Sequence, residues 1–579
     1  MSSLKRILNK NLSDFSYFYG YLGNKLIISF VLNILVAILD GFGIAMFLPL
    51  MKSLGSNEEI AGLGNLSFIL TWMETLRIPM TLLGVLSIML FFFVVKGLVK
   101  YVEGIYKTIL QRQFITSLRL SHVELLSQLS YRSFVEADSG KIQNTVTGEV
   151  HRVLTAYTAY FQTIHGVLVV MVYIVLAFTV DFQFTLLVVV GGLCTNFIYK
   201  VIYSKTKKYS VAFTESNSEF QGLLIQHVAS FKYLKASGLI NRYKRRLIRK
   251  ITDIEVYQKK IGELNAIINA LREPLVVTVI FIVIVIEVEI FGGQLSLIVL
   301  SLLFFYRALT HLMNLQNYWN TYMATYGSLK NMKAFNQELL EGAERRGALV
   351  FEKFEKSIDF KNVTIQFNGR TILRDLSFSI KKFDNVAILG PSGSGKSTLM
   401  NMISGLIRPD EGEILLDGQR LSDFDISTFN SHIGYITQEP VIFDDTIFNN
   451  VTFWAEKTEE NLRKFNQACR KALIDEFVSG LELQEDTRMG NNGIMVSGGQ
   501  RQRIAIAREL YKDIAILLMD EATSSLDFEA ESLIQKNIEF LKGTLTMVIA
   551  THRVKTIENC NKVISVKNGS VTVQEHALV

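Results

Sequence analysis

Nine consecutive residues, Gly390, Pro391, Ser392, Gly393, Ser394, Gly395, Lys396, Ser397 and Thr398, have the types and spacing to hold a polyphosphate. Their pattern is G-x-x-x-x-G-K-S. Glycines let backbone N–H groups wrap phosphate oxygens, the Lys396 ammonium reaches the β and γ phosphates, and the Ser397 hydroxyl ligates Mg²⁺. Further on, Asp520 and Glu521 close the apolar run "IAILLMDE". Asp520 can hold Mg²⁺ through water, and Glu521 can orient or deprotonate an attacking water. The chemistry is ATP hydrolysis, with ATP and Mg²⁺ as cofactors. A third stretch, Ser497, Gly498, Gly499 and Gln500, opens a helix-like run and offers bare N–H groups to an anion. Two phosphate grips on one chain are redundant if they serve the same ATP.

The phosphate loop needs a strand before it and a helix after it. "NVAIL", ending at Leu389, reads as a buried strand, and the continuous apolar run before Asp520 suits a central strand of a parallel sheet. Phosphate loop, "VSGGQRQR", "LLMDEATSSLD" and "IATHR", in that order, resemble an ATP-binding cassette. The resemblance implies further roles. Phe367 stands where an aromatic, commonly Tyr, stacks on adenine. Gln438 in "YITQEPVIF" contacts Mg²⁺ and the water, and His552 contacts the γ-phosphate. Asp527 lies across a dimer seam, and Ser497 and Gly499 reach the γ-phosphate held by a second chain. The metal set is therefore Ser397, Gln438 and Asp520. Both half-sites look complete, so the implied partner is a second copy. Three departures stand out: Val496 for the usual Leu, Asn491 where exporters commonly carry Glu, and "KKFDN" for the usual Gly-Glu before the phosphate-loop strand.

The chain has 579 residues, with 49% hydrophobic, 20% charged and 39 Phe. That composition calls for membrane spans and more than one domain. Six spans are expected, near Leu26–Leu50, Met80–Val95, Ile164–Val180, Phe184–Val201, Ala266–Ile286 and Leu295–Leu312. Fourteen Lys or Arg lie in 200–260 and two in 51–79, so the former is cytoplasmic, together with the N-terminus and the 97–160 connection. The net charge of +6 suits such loops and gives no argument for nucleic acid. The first apolar run starts near Leu26 and is too long for a cleavable signal. Cys194, Cys469 and Cys560 have no metal or disulfide spacing.

With six spans ahead of the cassette, the whole chain resembles an ABC exporter half-transporter. The expected fold is an all-α six-helix transmembrane domain of the type IV exporter kind in 1–330, a charged, mobile linker in 331–355, and an α/β P-loop cassette in 356–579. The long inner connections read as cytoplasmic extensions of the spans. Gly140–Val153 and Ser218–His227 look like coupling segments that press on the nucleotide domains.

Polar residues within spans are expensive and usually face a cavity. Here they are Asp40, Lys96, Arg272, Glu273, Arg307 and His311. "TVTGEVHRV", "FKYLKASG" and "FFYRALTHLMN" resemble segments of lipid-linked oligosaccharide flippases, and 51–79 could hold that subgroup's short external helix. On that likeness Lys96, Arg272 and Arg307 meet a pyrophosphate. Peptide, drug or simple lipid export shares every other feature. A soluble ATPase, an ATP-gated regulator and an importer are the competing classes; the spans oppose the first, and Glu521 with His552 opposes the second. The expected home is a bacterial inner membrane.

Overall fold

The computed structural model describes residues 13–46, 49–50, 81–180, 182–289, 295–367, 369–490, 493–521, 541–551, 557 and 560–575. The expected external helix in 51–79 lies outside them, as do Asn491, Asp527 and His552. The chain divides into two compact units. One comprises 1–129 and 136–343; the other comprises 130–135 and 344–579.

The first unit is helical. Its long helices are α1 (Lys25–Ala45), α2 (Leu82–Ser127), α4 (Val150–Val180), α5 (Phe182–Ala229), α6 (Ile240–Glu289) and α7 (Leu295–Glu341), while the short α3 (Tyr131–Glu136), between α2 and α4 in sequence, falls almost wholly in the second unit. The expected spans after the first lie at the apolar ends of long helices, because a polar stretch without breakers continues the same hydrogen-bond ladder, whereas Leu26–Leu50 covers nearly all of α1 and runs past its end at Ala45. Among the described residues four helical stretches have the length and composition to cross a membrane: Lys25–Ala45, Leu82–Ser127, Gly140–Phe178 and Ile240–Ile286. The Thr81 hydroxyl starts α2 by accepting from the Gly84 N–H at 3.3 Å. Pro274 sits inside α6 without ending it. Helix α7 runs to Glu341, eleven residues beyond the boundary expected at 330, so the first part of the expected linker is helix.

The expected coupling segments Gly140–Val153 and Ser218–His227 pack on each other inside this unit. Asn144 donates to the Ser218 hydroxyl at 3.0 Å, and a Cβ on Gly140 would lie 2.3 Å from the Gly222 Cα. The part of this connection that groups with the second unit is 130–135, some ten residues earlier than expected.

The second unit holds two sheets. The strands are β1 (Ser357–Phe367), β2 (Arg370–Lys381), β3 (Asn385–Leu389), β4 (Glu411–Leu416), β5 (Gln419–Arg420), β6 (Ile433–Ile436), β7 (Ile516–Asp520), β8 (Thr546–Ala550), β9 (Lys562–Lys567) and β10 (Ser570–Glu575). The smaller sheet is antiparallel in the order β2-β1-β4-β5; the larger is ordered β10-β9-β3-β8-β7-β6, parallel except at β10. Strand β8 is buried throughout, as are the first four residues of β3 and of β7, which is why their sequences read as unbroken apolar runs. The crossing order places the ends of β3 and β7 on either side of β8, so the phosphate loop and the acidic pair emerge at one edge of the sheet.

Candidate nucleotide site and membrane charge cluster

Strand β3 delivers the chain to Gly390, and helix α8 (Lys396–Ile403) leaves from it. Gly393 and Gly395 have φ of +77° and +105°, which glycine alone adopts cheaply, and Gly395 caps α8. Gly390 has no room for a side chain: a Cβ would lie 2.5 Å from both the Ser394 Oγ and the Val566 carbonyl. The buried Ser394 hydroxyl has no hydrogen-bond partner, so the loop keeps a donor in hand. Lys396 is 7% exposed and donates to the carbonyl of Gly390 at 2.9 Å and, more weakly, to that of Pro391 at 3.4 Å. Its ammonium also lies 3.2 Å from the Glu521 carboxylate.

Glu521 follows the end of β7. Its φ is +47°, an uncommon conformation for a glutamate, and its N–H donates to the Ala550 carbonyl on β8 at 3.0 Å. Gln438, just after β6, donates from Nε2 to the other Glu521 oxygen at 3.4 Å. Three strand ends thus bring Lys396, Glu521 and Gln438 together from positions scattered over 126 residues. Asp520 is half-buried at the end of β7. Burial, with the Asp520 charge second, pushes the nearby Tyr435 phenol upward, and its hydroxyl donates to Asn401 of α8 at 3.1 Å. The Ser397 hydroxyl, the Asp520 carboxylate and the Gln438 amide oxygen are hard oxygen donors, which suits Mg²⁺ held by one carboxylate and phosphate oxygens.

Ser497 caps helix α9 (Gly498–Tyr511) in a reciprocal box with Gln500. The Gln500 N–H donates to the Ser497 Oγ at 3.2 Å, and the Ser497 N–H donates to Gln500 Oε1 at 2.8 Å. Among the described residues no hydrogen bond or ion pair joins this cap to the phosphate loop of the same chain.

Two arginines escaped the sequence reading. Arg508, on α9, is 5% exposed and donates to the carbonyls of Asn450 at 2.6 Å and Val441 at 2.7 Å, tying the segment after Gln438 to the helix that carries Ser497. The apolar run "IAIA" immediately before it is the signal in the sequence. The second, Arg132, has its guanidinium over the Phe367 ring. The Cys469 and Cys560 thiols are buried and pushed up to about 12 and about 11 by desolvation, so neither supplies a thiolate.

In the helical unit the basic residues of the spans do not form one ring. Lys96 pairs with Asp40, and Asp40 also accepts from the Tyr173 hydroxyl. Tyr173 stacks on His311, with ring centroids 5.4 Å apart. Arg307 acts on Asp40 electrostatically, and its side chain is exposed. Arg272 stands apart, donating to Asn314 at 3.2 Å while its Nε is buried without a partner. The expectation of three basic groups for one pyrophosphate therefore changes: the Lys96 charge is already paired with a buried carboxylate.

Residues 373–524 match the family described as ABC transporter. A bacterial Atm1-family ABC exporter with ATP bound has the same fold, with a TM-score of 0.77 at 21% identity over 96% of each chain. This chain is an ABC exporter half-transporter. The half-transporter is 27% identical to the heterocyst differentiation ATP-binding protein HepA of Nostoc sp., over 95% of its own length and 90% of the relative. It is 27% identical to an ATP-dependent lipid A-core flippase of Ralstonia nicotianae, over 86% and 83%. The flippase of that name from Escherichia coli is 35% identical over 48% of this chain and 47% of its own. The half-transporter spans the membrane several times, binds nucleotide, and couples ATP hydrolysis to export or flipping of an amphipathic substrate.

Proposed function

We propose that two copies of this half-transporter, in a bacterial cytoplasmic membrane, flip a lipid-linked oligosaccharide or a related glycolipid with an anionic head group. The working parts are a membrane domain in 1–330 apart from 130–135, a connection in 331–355 whose first eleven residues extend α7, and an ATPase domain in 356–579. The observation that carries the ATPase chemistry is the grouping of Lys396, Glu521 and Gln438 at three strand ends. Gly390 to Thr398 wrap the phosphates. A γ-phosphate competes with Glu521 for the Lys396 ammonium, which would release that carboxylate to orient and deprotonate water. Ser397, Asp520 and Gln438 would hold Mg²⁺, whose charge helps neutralise the phosphates. His552 reads the γ-phosphate, Phe367 the adenine, and Asp527 the seam. Ser497, Gly498, Gly499 and Gln500 close on the partner's ATP.

Arg307 and Arg272 are the side chains proposed to meet the head group, with Lys96 kept as the partner of Asp40. Support for a phosphorylated glycolipid comes from the relatives named lipid A-core flippases, which makes a lipid A-type substrate the second reading. The test is ATPase activity in lipid vesicles challenged with polyprenyl-diphosphate oligosaccharides, lipid A-type glycolipids and peptides. Stimulation by the first group, lost with Arg307→Ala, is expected. Stimulation by peptides alone would end the glycolipid reading. Glu521→Gln should lower hydrolysis by about 10²–10⁴-fold while ATP still binds.

A further inference from the structure

Residues 130–135 lie outside the ATPase stretch of sequence yet belong to its compact unit. Within them Arg132 reaches the last two residues of β1 and Asp410, just ahead of β4. Nη1 donates to Asp410 Oδ1 at 2.9 Å, and Nη2 donates to the Gln366 carbonyl at 3.0 Å. The guanidinium carbon lies 5.1 Å from the Phe367 ring centroid. Asp410 closes the arrangement from the other side: its Oδ2 accepts from the Gln366 N–H at 2.6 Å, and its own N–H donates to the Thr364 carbonyl at 2.9 Å. Guanidinium, carboxylate and backbone form one closed bracket around the residue that precedes Phe367.

An aromatic ring has two faces. A cation over one of them leaves a single face for a base, and fixes the plane in which that face is presented. Phe367 cannot orient itself, since a phenylalanine lacks the hydroxyl with which a tyrosine could anchor its ring. The ion pair itself stabilises little, because both side chains are about one-third exposed. Its geometry is better suited to aiming a ring than to holding a fold.

We propose that Arg132 is a positioning residue for the nucleotide base: bracketed by Asp410 and the Gln366 carbonyl, it covers one face of Phe367 and presents the other to adenine. This rests on the reading that Phe367 stacks on adenine. The test uses the full-length protein in lipid nanodiscs. Arg132→Ala should raise the KM for ATP about 3–10-fold with kcat held within about twofold, the range expected of one cation–π contact. Competition by inorganic tripolyphosphate, which has no base, should be unchanged. Arg132→Lys keeps the charge but not the flat fork, and should recover part of the loss. Phe367→Ala should raise KM at least as much, and adding Arg132→Ala to it should do nothing further. An unchanged KM in Arg132→Ala, alongside a raised KM in Phe367→Ala, overturns the positioning role. So does an Arg132 effect that persists undiminished without the ring, or weaker tripolyphosphate binding. An unchanged KM in Phe367→Ala overturns the stacking reading beneath it instead.

Discussion

Phe383 and Glu521 share a left-handed backbone, with φ of +66° and +47°. For a non-glycine residue that conformation costs roughly 1–2 kcal/mol. At Glu521 the cost has a return, since the turn aims a carboxylate at Lys396 and Gln438. Phe383 has none of that. It is 46% exposed, its N–H donates to the Thr546 hydroxyl at 2.8 Å, and its ring lies 5.0 Å from the Lys382 ammonium. This is the place in "KKFDN" where relatives of the motif use glycine. Phe383→Gly keeps the N–H and removes the strain, while adding some freedom to the unfolded chain. It should stabilise the ATPase unit by about 0.5–1 kcal/mol, and thermal inactivation of ATPase activity should shift up by about 1–4 °C. A downward shift would mean that the ring packs in a way its exposure does not convey. The next residue, Asp384, explains why the motif tolerates the change. It is buried, accepts from the Lys381 N–H at 2.8 Å and from Lys562 at 3.1 Å, and so anchors the turn into β3 without the usual Gly-Glu pair.

At the scale of elements, what was legible in the sequence is what is contiguous. Strand β3, the loop and α8 occupy one unbroken stretch, and so do β7 and its acids, so pattern alone located them. What was hidden are the pairings made by packing. Lys562 meets Asp384 across 178 residues, Arg132 meets Gln366 across 234, and Lys96 meets Asp40 across 56. Nothing local in a sequence tells whether a charge is spent on a neighbour or kept for a ligand, and the pairing of Lys96 with Asp40 is of that kind. The helix beyond 330 is hidden for a related reason, since hydropathy ends where the apolar span ends and α7 does not. The pairing of α1 with α2 through Asp40 and Lys96 makes its own prediction. Lys96→Met leaves a buried carboxylate with only the Tyr173 hydroxyl and the Arg307 charge to offset it, and should cost about 3 kcal/mol, the low end for a broken buried pair, while Asp40→Asn combined with it should recover most of that. Thermal unfolding of the membrane unit in detergent, measured for both single variants and the double, reads the coupling. Additive losses would show that the two side chains do not depend on each other.

For the whole molecule, the cap at Ser497 poses the decisive question. It is a well-made helix start, in which the Gln500 side chain accepts from the Ser497 N–H and the Ser497 hydroxyl accepts from the Gln500 N–H. Within its own chain, among the described residues, no hydrogen bond or ion pair reaches from it to Lys396. A two-fold pair of chains resolves this, because a self-complementary interface lets each cap face the other chain's phosphate loop. Each ATP would then need Glu521 from one chain and Ser497 from its partner. Ser497→Arg alone should abolish hydrolysis with ATP binding to each chain retained, as Glu521→Gln does from the opposite side of the site. Co-expressed with different tags and purified as the mixed dimer, these two defective chains have one composite site with both an intact glutamate and an intact cap. Independent sites then give about half the wild-type rate, as the two-fold symmetry requires. If each site instead lay within a single chain, the mixed dimer would contain no working site and its rate would stay at the level of the two defective parents.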